Sequence, residues 1–188
     1  ESCVELEEVT PVRQQILSSR SFGKYVSNLA SLEEAVASYV GIAAAKLRRQ
    51  GSIAGRIQVF IRTSPFRQDL PQRAQAVTIP LPTPSDDTLL LTRAALWGLK
   101  RIYREGFEYQ KAGVMLMNLV PAGVRQPDLF YAARNNDALM AVVDRINAAW
   151  GRGTVRSAAE GITKAWEMKR ERMSPRWTTR WEEIPVVA

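Results

Sequence analysis

The apolar residues of this chain switch twice from a period of two to a helical period and back, and that double switch limits the folds open to it. Gln15 to Phe22 reads as a strand, closed by Gly23. Leu32, Val36, Tyr39, Ala43 and Leu47 then recur at helical spacing. Ser31 with Glu34 has the form of a capping box, in which hydroxyl and carboxylate satisfy the exposed N–H groups of a first turn, while Lys46, Arg48, Arg49 and Gly51 suit a helix C-terminus. Over 54–63, Ile57, Val59 and Ile61 alternate with Arg56, Gln58, Phe60 and Arg62. A loop with Pro65 and Pro71 leads to a third strand, Gln75 to Leu81, whose Pro80 suits an edge or a strand end. A second helix is expected over 86–105, with Asp86 and Asp87 at its start, Leu91, Ala95 and Ile102 in its buried stripe and Gly106 as its stop. A fourth strand runs from Tyr109 to Val120. The order is β-α-β-β-α-β. It predicts an α+β fold: a four-stranded antiparallel sheet with two helices on one face and the other face uncovered.

Beyond Pro121 the pattern changes to a mainly helical and irregular extension. A loop over 121–136 holds Gly123 and Pro127. Leu139, Val142, Val143, Ile146 and Trp150 then give one apolar side to a helix over 137–150, stopped by Gly151-Arg152-Gly153. Residues 154–188 are basic and hold three of the five tryptophans. A short strand, a helix and an irregular tail are expected there, with Trp166 packed on the third helix. Trp177 and Trp181 stand among Arg172, Arg176 and Arg180, where stacking on a partner and plain packing are both open.

Several chemistries are removed by composition. The chain has no histidine and a single cysteine, Cys3, so it has no Cys/His zinc site, no Ser–His or Cys–His pair and no internal disulfide. A lone cysteine also fits a reducing compartment. No run of 18 apolar residues signals a membrane span, and Glu1-Ser2-Cys3-Val4-Glu5 does not read as a signal peptide; with no initiator Met, the chain is expected to start inside a longer parent. The net charge of +7 is uneven: residues 1–10 carry four acids and no base, whereas residues 11–73 carry ten Lys/Arg against three Asp/Glu. Such a bias suits a polyanionic partner.

Four blocks carry a resemblance. They are Gln14 to Gly23, Ile61-Arg62-Thr63-Ser64-Pro65-Phe66, Tyr109 to Leu116, and Trp166 to Arg170 followed by Ser174-Pro175-Arg176. In order and spacing they resemble the C-terminal part of the UmuC-type, Y-family translesion DNA polymerases. The resemblance implies a linker from an upstream thumb over 1–12, a little finger DNA-binding domain over 13–121, a loop with a clamp-binding motif over 122–136 and a C-terminal extension over 137–188. It implies a DNA-gripping, partner-docking part of an error-prone polymerase in DNA repair and SOS mutagenesis, in the bacterial cytoplasm at the nucleoid. Neither Glu7-Glu8 nor Asp86-Asp87 matches the family's catalytic carboxylates, so this chain is expected to be no enzyme and to need no cofactor, with magnesium serving the parent. The alternative is a protein-interaction module with no DNA binding of its own.

Phosphate contacts need donors with reach and charge, and they position a protein without reading sequence. Ser19, Arg20, Ser21, Arg62, Thr63, Gln110 and Lys111 lie on or beside the expected strands and are the candidate DNA contacts. The competing reading makes the arginines ordinary exposed strand residues in surface ion pairs. Gln126-Pro127-Asp128-Leu129-Phe130 resembles the pentapeptide with which bacterial polymerases hold the sliding clamp: a glutamine for hydrogen bonding and a Leu-Phe plug for an apolar pocket. The competing reading tucks Leu129 and Phe130 onto the third helix. The resemblance further implies a UmuD-type accessory dimer and the RecA filament as partners of the C-terminal end, and no membrane.

Overall fold

The computed structural model describes residues 12–67, 69–124, 136–168 and 173–184. Its elements are β1 (Ile16–Val26), α1 (Leu29–Arg49), β2 (Ser52–Thr63), β3 (Ala74–Ser85), α2 (Thr88–Ile102), β4 (Tyr109–Pro121) and α3 (Asp137–Ala149). The strands form one antiparallel sheet in the order β1-β4-β2-β3, so the expected β-α-β-β-α-β fold is present. Prolines 80, 82 and 84 fall on β3, an edge strand, where a missing N–H costs no interior ladder bond.

The alternation of the strands decides which face is covered. The register sets Ile16 opposite Leu116, Leu116 opposite Ile57, and Ile57 opposite Ile79, one buried row across all four strands. On it lie α1 and α2, through Leu32, Val36, Tyr39, Ala43 and Leu47 of the first and Leu91, Ala95, Leu99 and Ile102 of the second. The two helices run antiparallel, since Lys100 meets Glu33 at 3.3 Å at one end and Arg48 meets Thr88 at 2.9 Å at the other. Gly98 lets α2 descend onto β3, because a Cβ there would strike Ile79 and Val77.

Helix ends differ from expectation by a turn. Asn28 caps α1, its side chain accepting from the Ser31 N–H at 2.7 Å, so the helix opens at Leu29 and the Ser31–Glu34 box falls inside it. Asp87 caps α2, accepting from the Leu89 N–H at 2.8 Å. That helix stops at Ile102 rather than 105, because the Tyr109 hydroxyl takes the Arg104 N–H and donates to the Arg104 carbonyl, both at 3.0 Å, turning the chain toward β4.

Arg48 ties α3 to this body. Its guanidinium donates to both carboxylate oxygens of Asp144 at 2.6 and 2.8 Å, and also to the Asp86 carbonyl and the Thr88 hydroxyl. Farther on, the described residues hold only short 3-10 turns, Ala158–Glu160 and Trp181–Glu183, in place of the expected strand and helix. Trp166 is buried, but not on α3. It packs edge-on between Phe22 and Tyr39, with ring centroids 6.1 and 5.8 Å away, and its carbonyl accepts from the Gly23 N–H at 3.1 Å. No helix among the described residues is long and apolar enough to cross a membrane.

Candidate nucleic-acid interface

Residues directly opposite in an antiparallel ladder share a face, with Cα atoms about 4.5–5.5 Å apart. On the helix-free face this gives three rows. Ser21, Lys111, Arg62 and Ala74 form the first, Ser19, Gly113, Phe60 and Ala76 the second, and Leu17, Met115, Gln58 and Thr78 the third. Arg56 follows, with Met117 and Pro80 on either side. Lys111 therefore sits between Ser21 and Arg62, and neither cation has an ion-pair partner among the described residues. The row beside them is apolar: the Phe60 ring lies over Gly113, whose missing Cβ would collide with Phe60 and Ser19.

Three of the seven expected contacts stand apart from this set. Arg20 has the parity of Ser18 and Phe22, so its row, with Ala112 and Ile61, belongs to the helix-covered face. Arg20, itself exposed, lines an open cavity of about 460 Å³ at the seam between α1 and the C-terminal segment, with Ser38, Tyr39, Ile42, Lys164 and Trp166. Thr63 is buried, and its hydroxyl is engaged with Gln72 at 3.0 Å and with the Arg73 N–H at 3.0 Å, leaving nothing for a phosphate. Gln110 is the extra residue of a bulge: Arg62 pairs with Lys111 and Thr63 pairs with Tyr109, so Gln110 has no partner in the ladder and is half-buried. The structure brings Ser19, Ser21, Arg62 and Lys111 together and adds Arg56, Gln58 and Thr78. Period-two parity separates Arg20 from Ser19 and Ser21 in the sequence; the bulge leaves no such signal. The clamp-like residues Gln126, Pro127, Asp128, Leu129 and Phe130 lie outside the described residues.

The seam around Arg20 has its own electrostatics. Burial pushes the Tyr39 phenol up to about 12, with Arg20 opposing and Glu167 reinforcing the rise. Burial also raises the Glu160 carboxyl above its ordinary value, against the pull of Lys164. Lys164 donates to the Ser38 hydroxyl at 2.7 Å and stands 5.7 Å from the Trp166 ring centroid. The Tyr39 hydroxyl and Trp166 Nε1 are buried without a hydrogen-bond partner among the described residues. This seam holds the C-terminal segment to the body and presents no row of exposed cations.

Residues 13–129 match the sequence profile of the impB/mucB/samB family C-terminal domain. The chain belongs to this family. Residues 137–187 match a second profile, a domain of unknown function (DUF4113). Protein ImpB of Salmonella typhimurium is 40% identical over 99% of this chain, and Protein UmuC of Salmonella typhimurium is 42% identical over 98%. The chain spans 44% of the length of each of these curated relatives. The insertion ternary complex of Dbh DNA polymerase has a similar fold over 60% of this chain and 31% of that chain, at 15% identity and a TM-score of 0.44. Membership in the impB/mucB/samB family agrees with the resemblance carried by the four sequence blocks.

Proposed function

We propose that this chain is the DNA-gripping and partner-docking part of a translesion DNA polymerase, a little finger domain whose open sheet face lies against duplex phosphates. The observation that supports this reading most is the row Ser21–Lys111–Arg62 across three strands, with Arg56 farther along the same face. Two hydroxyls, from Ser19 and Ser21, add neutral donors beside the cations. Backbone contacts of this kind carry no base information, which suits a polymerase that must follow any damaged template.

Catalysis would belong to the rest of the parent polymerase, with its magnesium and deoxynucleotides. Among the described residues no three His, Cys, Asp or Glu side chains gather as a metal site. Residues 126–130 would dock a sliding clamp, and the C-terminal extension would meet a UmuD-type accessory dimer and the RecA filament, in the bacterial cytoplasm at the nucleoid.

The test is duplex binding measured by fluorescence anisotropy at several salt concentrations. Three released counterions for Arg56, Arg62 and Lys111 give a slope of log affinity against log salt of about −2.7. Replacing Arg62 and Lys111 by Ala should lower that slope by about 1.8 and weaken all duplex sequences alike. A second reading, a protein-interaction module, draws on Leu17, Phe60, Met115 and Met117 on the same face, of which Leu17 is 53% exposed. Salt-independent binding, or none at low salt, would favour that reading and sink the first.

A further inference from the structure

Helix α2 contains Arg93, Lys100 and Arg101 and no carboxylate. Its buried side is Leu91, Ala95, Leu99 and Ile102, which leaves Arg93, Trp97 and Arg101 in line on the side turned away from the sheet. Spaced four residues apart, they stand about 6 Å from one another along the axis. All three are exposed, and the Trp97 indole keeps 53% of its surface in water. The Arg101 guanidinium lies over that indole, 4.4 Å from the ring centroid. Leu89, 38% exposed, continues the line by one turn, and Lys100 stands beside it with Glu33 at 3.3 Å. Arg93 has neither an ion pair nor a side-chain hydrogen bond among the described residues.

We propose that this line is a binding site for single-stranded nucleic acid. An exposed indole carrying a guanidinium on its face is a ready stack of planar groups, and an unpaired base extends such a stack whatever its identity. Arg93 on one side and Lys100 and Arg101 on the other are placed to neutralise the phosphates that flank the stacked base. An acidic peptide would satisfy the cations and leave the ring idle. Duplex DNA keeps its base faces inside its own stack, so it offers phosphates alone. Because α2 packs on the covered face of the sheet, the line looks away from the open face. The chain would then hold duplex on one side and unpaired strand on the other, and this site does not depend on the sheet's role.

The experiment uses the whole chain with a labelled oligothymidylate and a labelled duplex of equal length. Three cations on a single strand give a salt slope of about −2. W97A should weaken oligothymidylate binding on the order of tenfold and leave duplex binding unchanged, while W97F, which keeps an aromatic face, restores most of it. The pair R93A and R101A should lower the salt slope for the single strand. The R62A/K111A variant should do the reverse, losing duplex and keeping oligothymidylate. Trp97 is outside the core, so melting temperatures should match the parent. Undiminished oligothymidylate binding by folded W97A would overturn the proposal. So would an equal loss of duplex binding, which would make α2 part of one general polyanion surface. Trp97-dependent capture of polyglutamate without oligothymidylate binding would assign the line to an acidic peptide and overturn it as well.

Discussion

Replacing Trp166 by Ala should release the C-terminal segment from the sheet while leaving the sheet folded. Trp166 is 5% exposed and fills the gap between Phe22 and Tyr39. Removing a buried aromatic of this kind typically costs about 3–5 kcal/mol. What would remain to hold residues 157–168 is the packing of Ala158–Glu160 on α1 and the Lys164–Ser38 hydrogen bond, the latter worth about 1–2 kcal/mol, since the backbone bond to Gly23 depends on the same residue's position. The loss exceeds that hydrogen bond, so the segment should leave at its Trp166 end rather than tolerate a cavity. The main melting transition should then move by only a few degrees, since Trp166 is one member of a core that α1, α2 and the four strands otherwise build among themselves. Hydrogen exchange at the Gly23 amide, followed by proteolysis of residues 157–168, reads the release directly. Spectrophotometric titration gives a second signal: with the wall of its pocket gone, the Tyr39 phenol should fall from about 12 toward its ordinary 10.0. A W166A protein in which Gly23 stays protected and Tyr39 does not shift would refute the reasoning. Collapse of the whole sheet would refute it equally, by making the folding of the sheet depend on Trp166.

The other predictions are shorter. Replacing Leu129 and Phe130 together by Ala should abolish calorimetrically detectable binding of a purified sliding clamp, whose affinity for the parent chain should be on the order of micromolar; unchanged affinity in a folded variant would remove the clamp motif. Gly113→Val should drive Phe60 off the open face and weaken duplex binding, because the Phe60 ring and the Ser19 Cβ leave no room for the new side chain beside the Lys111 row; an unaffected salt titration would show that the face is not used. Arg48→Met should cost about 3 kcal/mol and expose α3 to exchange, since Asp144 and the Asp86 carbonyl lose their donor at once; a melt within a degree of the parent would show that α3 is held otherwise. Docking of residues 157–168 should weaken as pH rises from 4.5 through the raised Glu160 value, because the folded state binds the extra proton and that stabilisation is complete only below the unfolded value. Glu160→Gln should flatten this dependence, and a proteolysis profile that keeps its pH trend in the variant would assign the trend elsewhere.

How much of this was legible before the structure follows from the range of the forces involved. The β-α-β-β-α-β order rests on local periodicity, and Ile57, Val59 and Ile61 or Leu91, Ala95 and Ile102 announce their faces without any knowledge of partners. Helix limits were less legible because competing caps lie within a few residues. Asn28 and Ser31 both offer a capping oxygen, and the choice between them depends on where the chain leaves β1. The site was legible in its residue types and only partly in its geometry. Arg62 and Lys111 are strand cations whose side-by-side placement needs the register of β2 against β4, a long-range quantity. Thr63 looked free because its partner Gln72 lies across a loop that carries no periodic signal. The place of Trp166 is hidden for a similar reason. Its contacts, Phe22 and Tyr39, are more than a hundred residues away in sequence, whereas α3 is close.

Arg20 shows how the sheet resolves a conflict that a linear reading leaves open. Strand alternation sends it to the covered face, beside an aromatic pair and a lysine, while its neighbours Ser19 and Ser21 point the other way. Arg20→Ala should thus leave the duplex salt slope unchanged and instead raise the Tyr39 phenol further, because the guanidinium is the group opposing its rise. Anisotropy titration and tyrosine titration of the same variant separate the two roles. A fall in the duplex slope of about 0.9, with Tyr39 unmoved, would return Arg20 to the phosphate-binding set and show that its side chain reaches round the β1 edge to the open face.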